Sequence, residues 1–148
     1  MKFKKVIIVV LLFVCCILFI ISTSILIKHY LDYKNNKIIT EQLVQEVIKI
    51  DTNKEISTTT IDWQKLRAIN DDIVAWIEIP DTNINYPILK DVYNLYYLKH
   101  DYNKQYSSSG SIFTSNINPF IENETIIYGH NMKNNTMFSE LGKYLKKD

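Results

Sequence analysis

Cysteine is confined to the start of this 148-residue chain, where Cys15 and Cys16 are the only two copies. Both lie in a strongly apolar stretch, and we expect them to be unreactive because nothing there favours the thiolate form. The rest of the chain therefore has no disulfide to stabilise it. It also has no thiol that could act as a nucleophile beside a histidine.

An excess of basic charge is missing as well. The formal net charge is +1, and without residues 1–28, which carry four lysines and no acid, 13 basic and 16 acidic residues remain. Nucleic-acid-binding domains usually carry a strongly basic face, so we expect no nucleic-acid partner. The three histidines are scattered, without the clustered spacing of metal ligands, and we expect no metal and no other cofactor.

A long apolar run does occur at the start of the chain, from Val6 to Ile27. It carries no charge and exceeds the roughly 20 residues that a helix needs to span a bilayer. Three lysines precede it, which predicts a cytoplasmic N-terminus. Residues 1–28 are thus predicted to form a single-pass anchor in the cell membrane, with the following domain extracellular. A cleaved signal peptide is the alternative, although its apolar region is usually only about 7–15 residues long.

Residues 29–69 are predicted to form a stalk and two helices. Thr40 can cap a first helix that runs to about Ile50, and its apolar residues at helical spacing would pack against the domain. The other predicted features are a polar loop from Asp51 to Thr58, a second helix capped by Thr59 or Thr60, and an end to that helix near Asn70.

From residue 70 onward, apolar and polar residues alternate in short runs, as is typical of β-strands. We predict four strands: Ile73 to Ile79, Ile84 to Leu89, Ser111 to Thr114, and Glu124 to Tyr128. Pro87 predicts an edge or a bulge in the second strand. A helix is expected to begin near Met137. Four strands are few for barrel closure, so residues 70–148 are predicted to be a mainly β, incomplete barrel with flanking helices.

The segment between the second and third strands is rich in tyrosine, with Tyr93, Tyr96, Tyr97, Tyr102 and Tyr106. Such a cluster could bind a sugar or a peptide. We favour a role in covering the core, since tyrosine can bury its ring while its hydroxyl stays in water. His29 and His100 are interpreted as solvated surface residues.

His130 follows the last predicted strand and a glycine, within the run Ile126 to Met132. A histidine at a strand end is well placed for acid–base chemistry, although a lone histidine there is more often structural. A serine nucleophile would need an orienting acid and a prepared oxyanion site. The spacing of the nearby serines, which are Ser107, Ser108, Ser109, Ser111 and Ser139, gives no support for one.

The chain resembles the class B sortases in five runs that follow that family's order. They are residues 69–88, Tyr96–Leu98, Gly110–Phe113, Tyr128–Met132 and Thr136–Leu141. The resemblance covers about residues 38–148 and implies a partial sortase-like β-barrel. It also implies a catalytic role for His130 and two partners, a sorting-signal peptide and an amine acceptor that is a cell-wall peptide or a pilin lysine.

In that family a cysteine thiolate attacks a threonine carbonyl to form a thioacyl intermediate. Histidine transfers the proton, and arginine stabilises the oxyanion. Only His130 carries over, because the family's cysteine and arginine strands lie C-terminal to the matched region and Arg67, the only arginine, falls in the second predicted helix. We therefore expect a truncated, membrane-anchored class B sortase that is inactive alone. A non-catalytic membrane-anchored binding module, or a sortase remnant, is the alternative.

Overall fold

The computed structural model describes residues 2–51, 58–92, 95–116, 119–121 and 123–145. It divides into two compact units, Met1–Asp32 and Tyr33–Asp148. Most of the predicted polar loop, together with Tyr93, lies outside the described residues.

A single helix, α1 (Lys2–Val47), carries the apolar run. Its most apolar window has a mean hydropathy of 3.3 and buries none of its side chains against the protein. Thr23 and Ser24 each donate a hydroxyl hydrogen bond of 2.8 Å to a carbonyl one turn earlier, which satisfies these polar groups within the helix. By length and composition α1 can cross a membrane, although a signal sequence also meets this criterion.

The prediction of a new helix starting at Thr40 was wrong. The Thr40 hydroxyl donates to the Asn36 carbonyl, 2.9 Å away and one turn earlier, so Thr40 lies inside a continuous α1. The helix also ends before Ile50, because the chain enters strand β1 (Ile48–Asp51), which pairs antiparallel with β2 (Thr58–Ile61). This strand pair was not predicted.

The second helix, α2 (Trp63–Ile69), was predicted with the wrong cap. Asp62 accepts a hydrogen bond of 3.1 Å from the Lys65 amide, as an N-cap side chain does, while Thr59 and Thr60 belong to β2. The predicted end is confirmed, because Asn70 is the C-cap and its amide donates to Leu66, 3.0 Å away.

All four strands predicted after residue 70 form one mixed sheet in the order β3-β4-β5-β6. Their bounds are β3 (Ile73–Glu78), β4 (Asn85–Lys90), β5 (Ile112–Thr114) and β6 (Ile127–Tyr128). The β3–β4 and β5–β6 pairs are antiparallel, whereas β4 and β5 run parallel. In the described residues β3 and β6 are the outer strands, so the barrel is partial and not closed, as predicted.

The alternation of side chains along β3 is interrupted at its first residues. The pairing register of β3 with β4 shifts between Ile73 and Ala75, as at a β-bulge. Ile73 and Trp76 therefore pack in one apolar cluster, while Ala75 and Ile77 pack in another.

Pro87 lies in the part of β4 that pairs with β3 alone, so this part of the strand has an open edge, as predicted. It stands opposite Trp76 of β3, and pairing with β5 begins only at the next residue, Ile88. The proline thus occupies the last position of β4 before the second ladder starts, where its missing N–H costs least.

Two apolar clusters lie on opposite faces of the sheet, since alternate residues of β4 and β5 contribute to each. The first combines Leu89 and Phe113 with Leu43 and Val47 of α1, which confirms the predicted packing face of that helix. The second contains Ile84, Tyr86, Ile88, Ile112 and Met137.

The helix predicted to begin at Met137 is a 3₁₀-helix at Ser139–Leu145. Met137 has a φ of 54°, a left-handed conformation in which an α-helix cannot start. The 3₁₀-helix holds the β3–β4 turn, because Glu140 accepts from the Asn83 amide and the Tyr144 hydroxyl donates to the Pro80 carbonyl at 3.2 Å.

The connection from β4 to β5, residues 91–111, is a crossover because the two strands are parallel. We call it the crossover segment. It contains the 3₁₀ turn Tyr96–Leu98. Tyr97 and Tyr102 are 2% and 9% exposed, so these two rings are part of the first cluster, whereas Tyr106 is 63% exposed.

A buried hydrogen-bond network attaches the crossover segment to the end of α2. The Asn70 amide group donates to the Tyr97 hydroxyl and to the Tyr102 carbonyl, both at 2.8 Å, and the Tyr97 hydroxyl donates to Asp72 at 2.6 Å. Burial raises the pKa of Tyr97 far above its ordinary value. Burial also acts to raise the pKa of Asp72, but hydrogen bonds from Tyr97 and Lys104 outweigh it and lower that pKa.

We predict that Asn70→Ala lowers the free energy of unfolding by about 1–3 kcal/mol, because it leaves buried partners unpaired. Denaturant unfolding of the full chain in detergent micelles, followed by tryptophan fluorescence, measures the change. Asn123→Ala is the matched control, since Asn123 is exposed, and should change stability by less than about 0.5 kcal/mol. Equal stability of the two variants would contradict the role of this network.

Candidate active site

His130 lies just after the end of β6 and is half-buried. Its Nε2 is 2.9 Å from the Leu98 carbonyl oxygen of the crossover segment. Its own carbonyl accepts a hydrogen bond of 2.9 Å from the Phe138 amide. The imidazole ring is therefore oriented by a backbone acceptor 32 residues earlier in the chain, while a hydrogen bond from a later segment holds its backbone.

Gly129 allows this close arrangement. A Cβ atom at this position would meet the Ile112 side chain and would lie 2.7 Å from the Phe138 ring. Such a separation is far shorter than the roughly 3.5–4.0 Å at which carbon atoms pack. Because Gly129 has no side chain, the chain just after β6 can pass between Ile112 and Phe138. His130 then lies within hydrogen-bond distance of the Leu98 carbonyl.

A tight loop closes behind His130. Asn131 and Met137 form an isolated antiparallel bridge, and the Met137 amide donates a hydrogen bond of 3.0 Å to the Tyr86 hydroxyl. Asn135 and Met137 both have left-handed φ angles, 58° and 54°. Burial raises the pKa of Tyr86, so its hydroxyl remains neutral while it holds the loop.

The other histidines predicted as surface residues differ from each other. His29 is exposed on α1. The His100 ring, by contrast, stacks on Tyr96 with 3.7 Å between ring centroids, and its Nδ1 lies 2.7 Å from the Tyr96 carbonyl oxygen. His100 is therefore a half-buried surface residue that packs on Tyr96.

The other candidate groups lie on α1, α2 and the crossover segment. Arg67 is exposed on α2, and Cys15 and Cys16 lie on the apolar part of α1. Ser107 accepts a hydrogen bond from Asn36, and the Ser111 hydroxyl donates to the His100 carbonyl. Within the described residues, no group of three or more metal-ligating side chains occurs.

The sequence interpretation missed the main partner of His130, the carbonyl of Leu98. Any residue carries such a carbonyl, so no side-chain motif marks it. The only sign of it in the sequence was the glycine at position 110. In the structure, a Cβ atom there would lie 2.5 Å from the Leu98 oxygen.

A family model described as "Sortase domain" matches residues 77–148. The sortase B of Listeria monocytogenes serovar 1/2a is 42% identical over 115 residues, which are 72% of this chain and 47% of that protein. The sortase B of Staphylococcus aureus is 33% identical over 124 residues, 82% of this chain and 50% of that protein. The matched part of this chain belongs to the sortase B family.

Solved sortase structures support the fold. Sortase B from B. anthracis, in complex with AAEK1, has a TM-score of 0.66 at 34% identity and covers 80% of this chain and 57% of that one. A Staphylococcus aureus sortase B–substrate complex has a TM-score of 0.53 at 41% identity, covering 57% of this chain and 40% of that one. The chain spans about half the length of the curated sortases that it matches.

We predict that Gly129→Ala lowers the free energy of unfolding by about 1–3 kcal/mol, as overpacking does, and shifts the ring-proton NMR signals of His130. Gly142→Ala is the matched control, since a Cβ there meets nothing within 4 Å. Both quantities should stay close to the wild-type values in that control. Unchanged His130 signals in a folded Gly129→Ala variant would refute the positional role assigned to Gly129.

Proposed function

We propose that this chain is the histidine-bearing part of a class B sortase, a transpeptidase that joins surface proteins to the cell wall or pilin subunits to one another. The observation that carries the proposal is the placement of His130, held by Leu98 just after β6, within residues 77–148, which match the sortase domain. The proposed role of His130 is proton transfer, first to the leaving amine and then from the incoming amine.

The proposed partners follow from this reaction. One is the sorting-signal peptide of a secreted protein, and the substrate complex known for the S. aureus sortase B supports it. The other is an amine acceptor, either a cell-wall peptide or a pilin lysine. Anchoring through α1, with the domain outside the cell membrane, would place the enzyme where both partners are exposed, and the apolar window of that helix supports it.

This 148-residue chain should not complete the reaction by itself. A thioacyl intermediate needs a cysteine thiolate, and both cysteines lie in the apolar part of α1. We predict no product when the purified chain is incubated with a sorting peptide and an amine acceptor, as followed by mass spectrometry. Turnover would show that another group is the nucleophile and would contradict the proposed division of roles.

A chimera tests His130 directly. Residues 1–148 are fused to the remaining C-terminal half of the L. monocytogenes relative, and transpeptidation is measured with that relative's own substrates. We predict activity in the chimera and a loss of about 10²–10⁴-fold in His130→Ala, the usual range for a general acid–base group.

His29→Ala is the matched control, because His29 is exposed on α1, and should retain the activity of the chimera. A chimera that folds but gives no product would favour the alternative, a membrane-anchored module that binds and does not catalyse. An active chimera that tolerates His130→Ala would remove the proposed role of this residue.

A further inference from the structure

We propose that the crossover segment is a positioning device for His130: Gly110 and the buried Tyr97 fix the Leu98 carbonyl, which holds the Nε2 proton and leaves Nδ1 to exchange protons with substrate. The catalytic part of this inference rests on the function proposed above. The positioning part concerns only the described residues and can be tested without any reaction.

The first support is the local geometry of Leu98. It is the last residue of the 3₁₀ turn, in which its amide donates to the Leu95 carbonyl at 3.1 Å and the Lys99 amide donates to Tyr96 at 3.2 Å. These bonds fix the peptide planes on both sides of Leu98. The direction of its carbonyl is thus set by backbone bonding and not by the leucine side chain.

The second support is the close approach of Gly110. Its φ is +59°, and a Cβ atom there would lie 2.5 Å from the Leu98 oxygen and 2.6 Å from the Tyr97 oxygen. Only glycine combines this left-handed backbone with such proximity. Gly110 therefore lies directly against the carbonyl that accepts from His130.

Two further bonds flank Leu98 on either side. The Ser111 amide donates to the Tyr97 carbonyl at 2.8 Å, and the Ser107 amide donates to the Lys99 carbonyl at 2.9 Å. The carbonyls on both sides of Leu98 thus accept hydrogen bonds from the later part of the crossover segment. In the described residues, the Leu98 carbonyl is the one of these three that accepts from His130.

The third support is the attachment of Tyr97 at both ends. Its amide donates to Asp91 at 3.0 Å, and its hydroxyl donates to Asp72 at 2.6 Å while accepting from Asn70 at 2.8 Å. The side chain is 2% exposed. A buried residue held in this way cannot shift without breaking several bonds, so the adjacent Leu98 is held as well.

The protonation consequence follows from the chemistry of the acceptor. A carbonyl oxygen can only accept a hydrogen bond, so Nε2 must carry a proton whenever the 2.9 Å bond to Leu98 exists. Nδ1 is then the ring nitrogen that gains or loses a proton. In the proposed reaction, Nδ1–H of the imidazolium gives its proton to the leaving amine, and the neutral Nδ1 later takes one from the incoming amine.

Nitrogen-15 NMR of the full chain in detergent micelles, labelled only at histidine, measures this directly. The sequence contains three histidines, and His130→Gln identifies the signals of His130 by their loss. In the neutral form of the ring, we expect His130 to carry its proton on Nε2 and to have an unprotonated Nδ1. A wild-type spectrum with Nδ1 protonated would overturn the inference.

Gly110→Ala should shift the His130 nitrogens toward a mixture of the two tautomers, because the added methyl group displaces the Leu98 carbonyl. Gly142→Ala is the control and should leave the wild-type pattern, as its Cβ meets open space. If Gly110→Ala does not fold, Tyr97→Phe, which keeps the ring and removes the hydroxyl bonds, should give a smaller shift in the same direction. A wild-type tautomer pattern in every folded crossover variant would refute the positioning role.

The outcome separates this inference from the proposed function. A fixed Nε2–H tautomer in an inactive chimera would retain the positioning device and reject the transpeptidase role. An active chimera whose His130 carries its proton on Nδ1 would support the transpeptidase role and reject the positioning role of the crossover segment. The tautomer also distinguishes positioning from stability. If Gly110 only stabilised the fold, Gly110→Ala would lower the folded fraction but would leave the ring nitrogens of the folded molecules unchanged.

Discussion

The parallel pairing of β4 with β5 is the constraint on which the rest of the described domain depends. Two parallel strands cannot be joined by a tight turn, so residues 91–111 must leave one end of β4 and return to the start of β5. That path needs apolar side chains to bury and polar groups to satisfy its backbone. Tyr97 and Tyr102 supply the buried rings, and Asn70, at the end of α2, satisfies polar groups of both. The crossover segment is thus a packed element of the domain, and α2 is positioned by it in turn.

The geometry of the candidate site depends on the crossover segment. His130 reaches Leu98 because β6 pairs with β5 on the side opposite to β4, and the crossover segment ends where β5 begins. The orienting group is a backbone carbonyl, whose direction depends on hydrogen bonds within the turn and on the approach of Gly110. An acceptor built from backbone is insensitive to the identity of its own side chain. It is sensitive instead to the glycine and the tyrosine that surround it.

The sequence was informative where side-chain periodicity decides the structure, and less so where backbone bonding does. Alternation located all four strands of the sheet, and length and apolarity located the apolar part of α1 but not its continuation to Val47. The β1–β2 hairpin, the bulge at Ile73 and the left-handed Met137 depend on pairing partners and hydrogen bonds that periodicity does not encode. The family resemblance predicted a catalytic role for His130 but did not predict that the Leu98 carbonyl would be its hydrogen-bond partner. Glycine scarcity was an unused clue: of three glycines, Gly110 and Gly129 both lie where a Cβ would not fit, and both adjoin the environment of His130.

Bonds from the crossover segment and from the loop after β6 orient the His130 ring and its backbone. The hydrogen bond from Nε2 to Leu98, the packing of Gly129 and the bond from Phe138 to the His130 carbonyl all lie within residues 98–138. On the proposed assignment, the cysteine and the arginine therefore join a histidine that is already oriented, and they do not have to create its tautomer. Preorganisation of this kind leaves less conformational entropy to be lost when the site is assembled. The bonds that fix the His130 ring therefore do not depend on a cysteine, and both cysteines of this chain lie in the apolar part of α1.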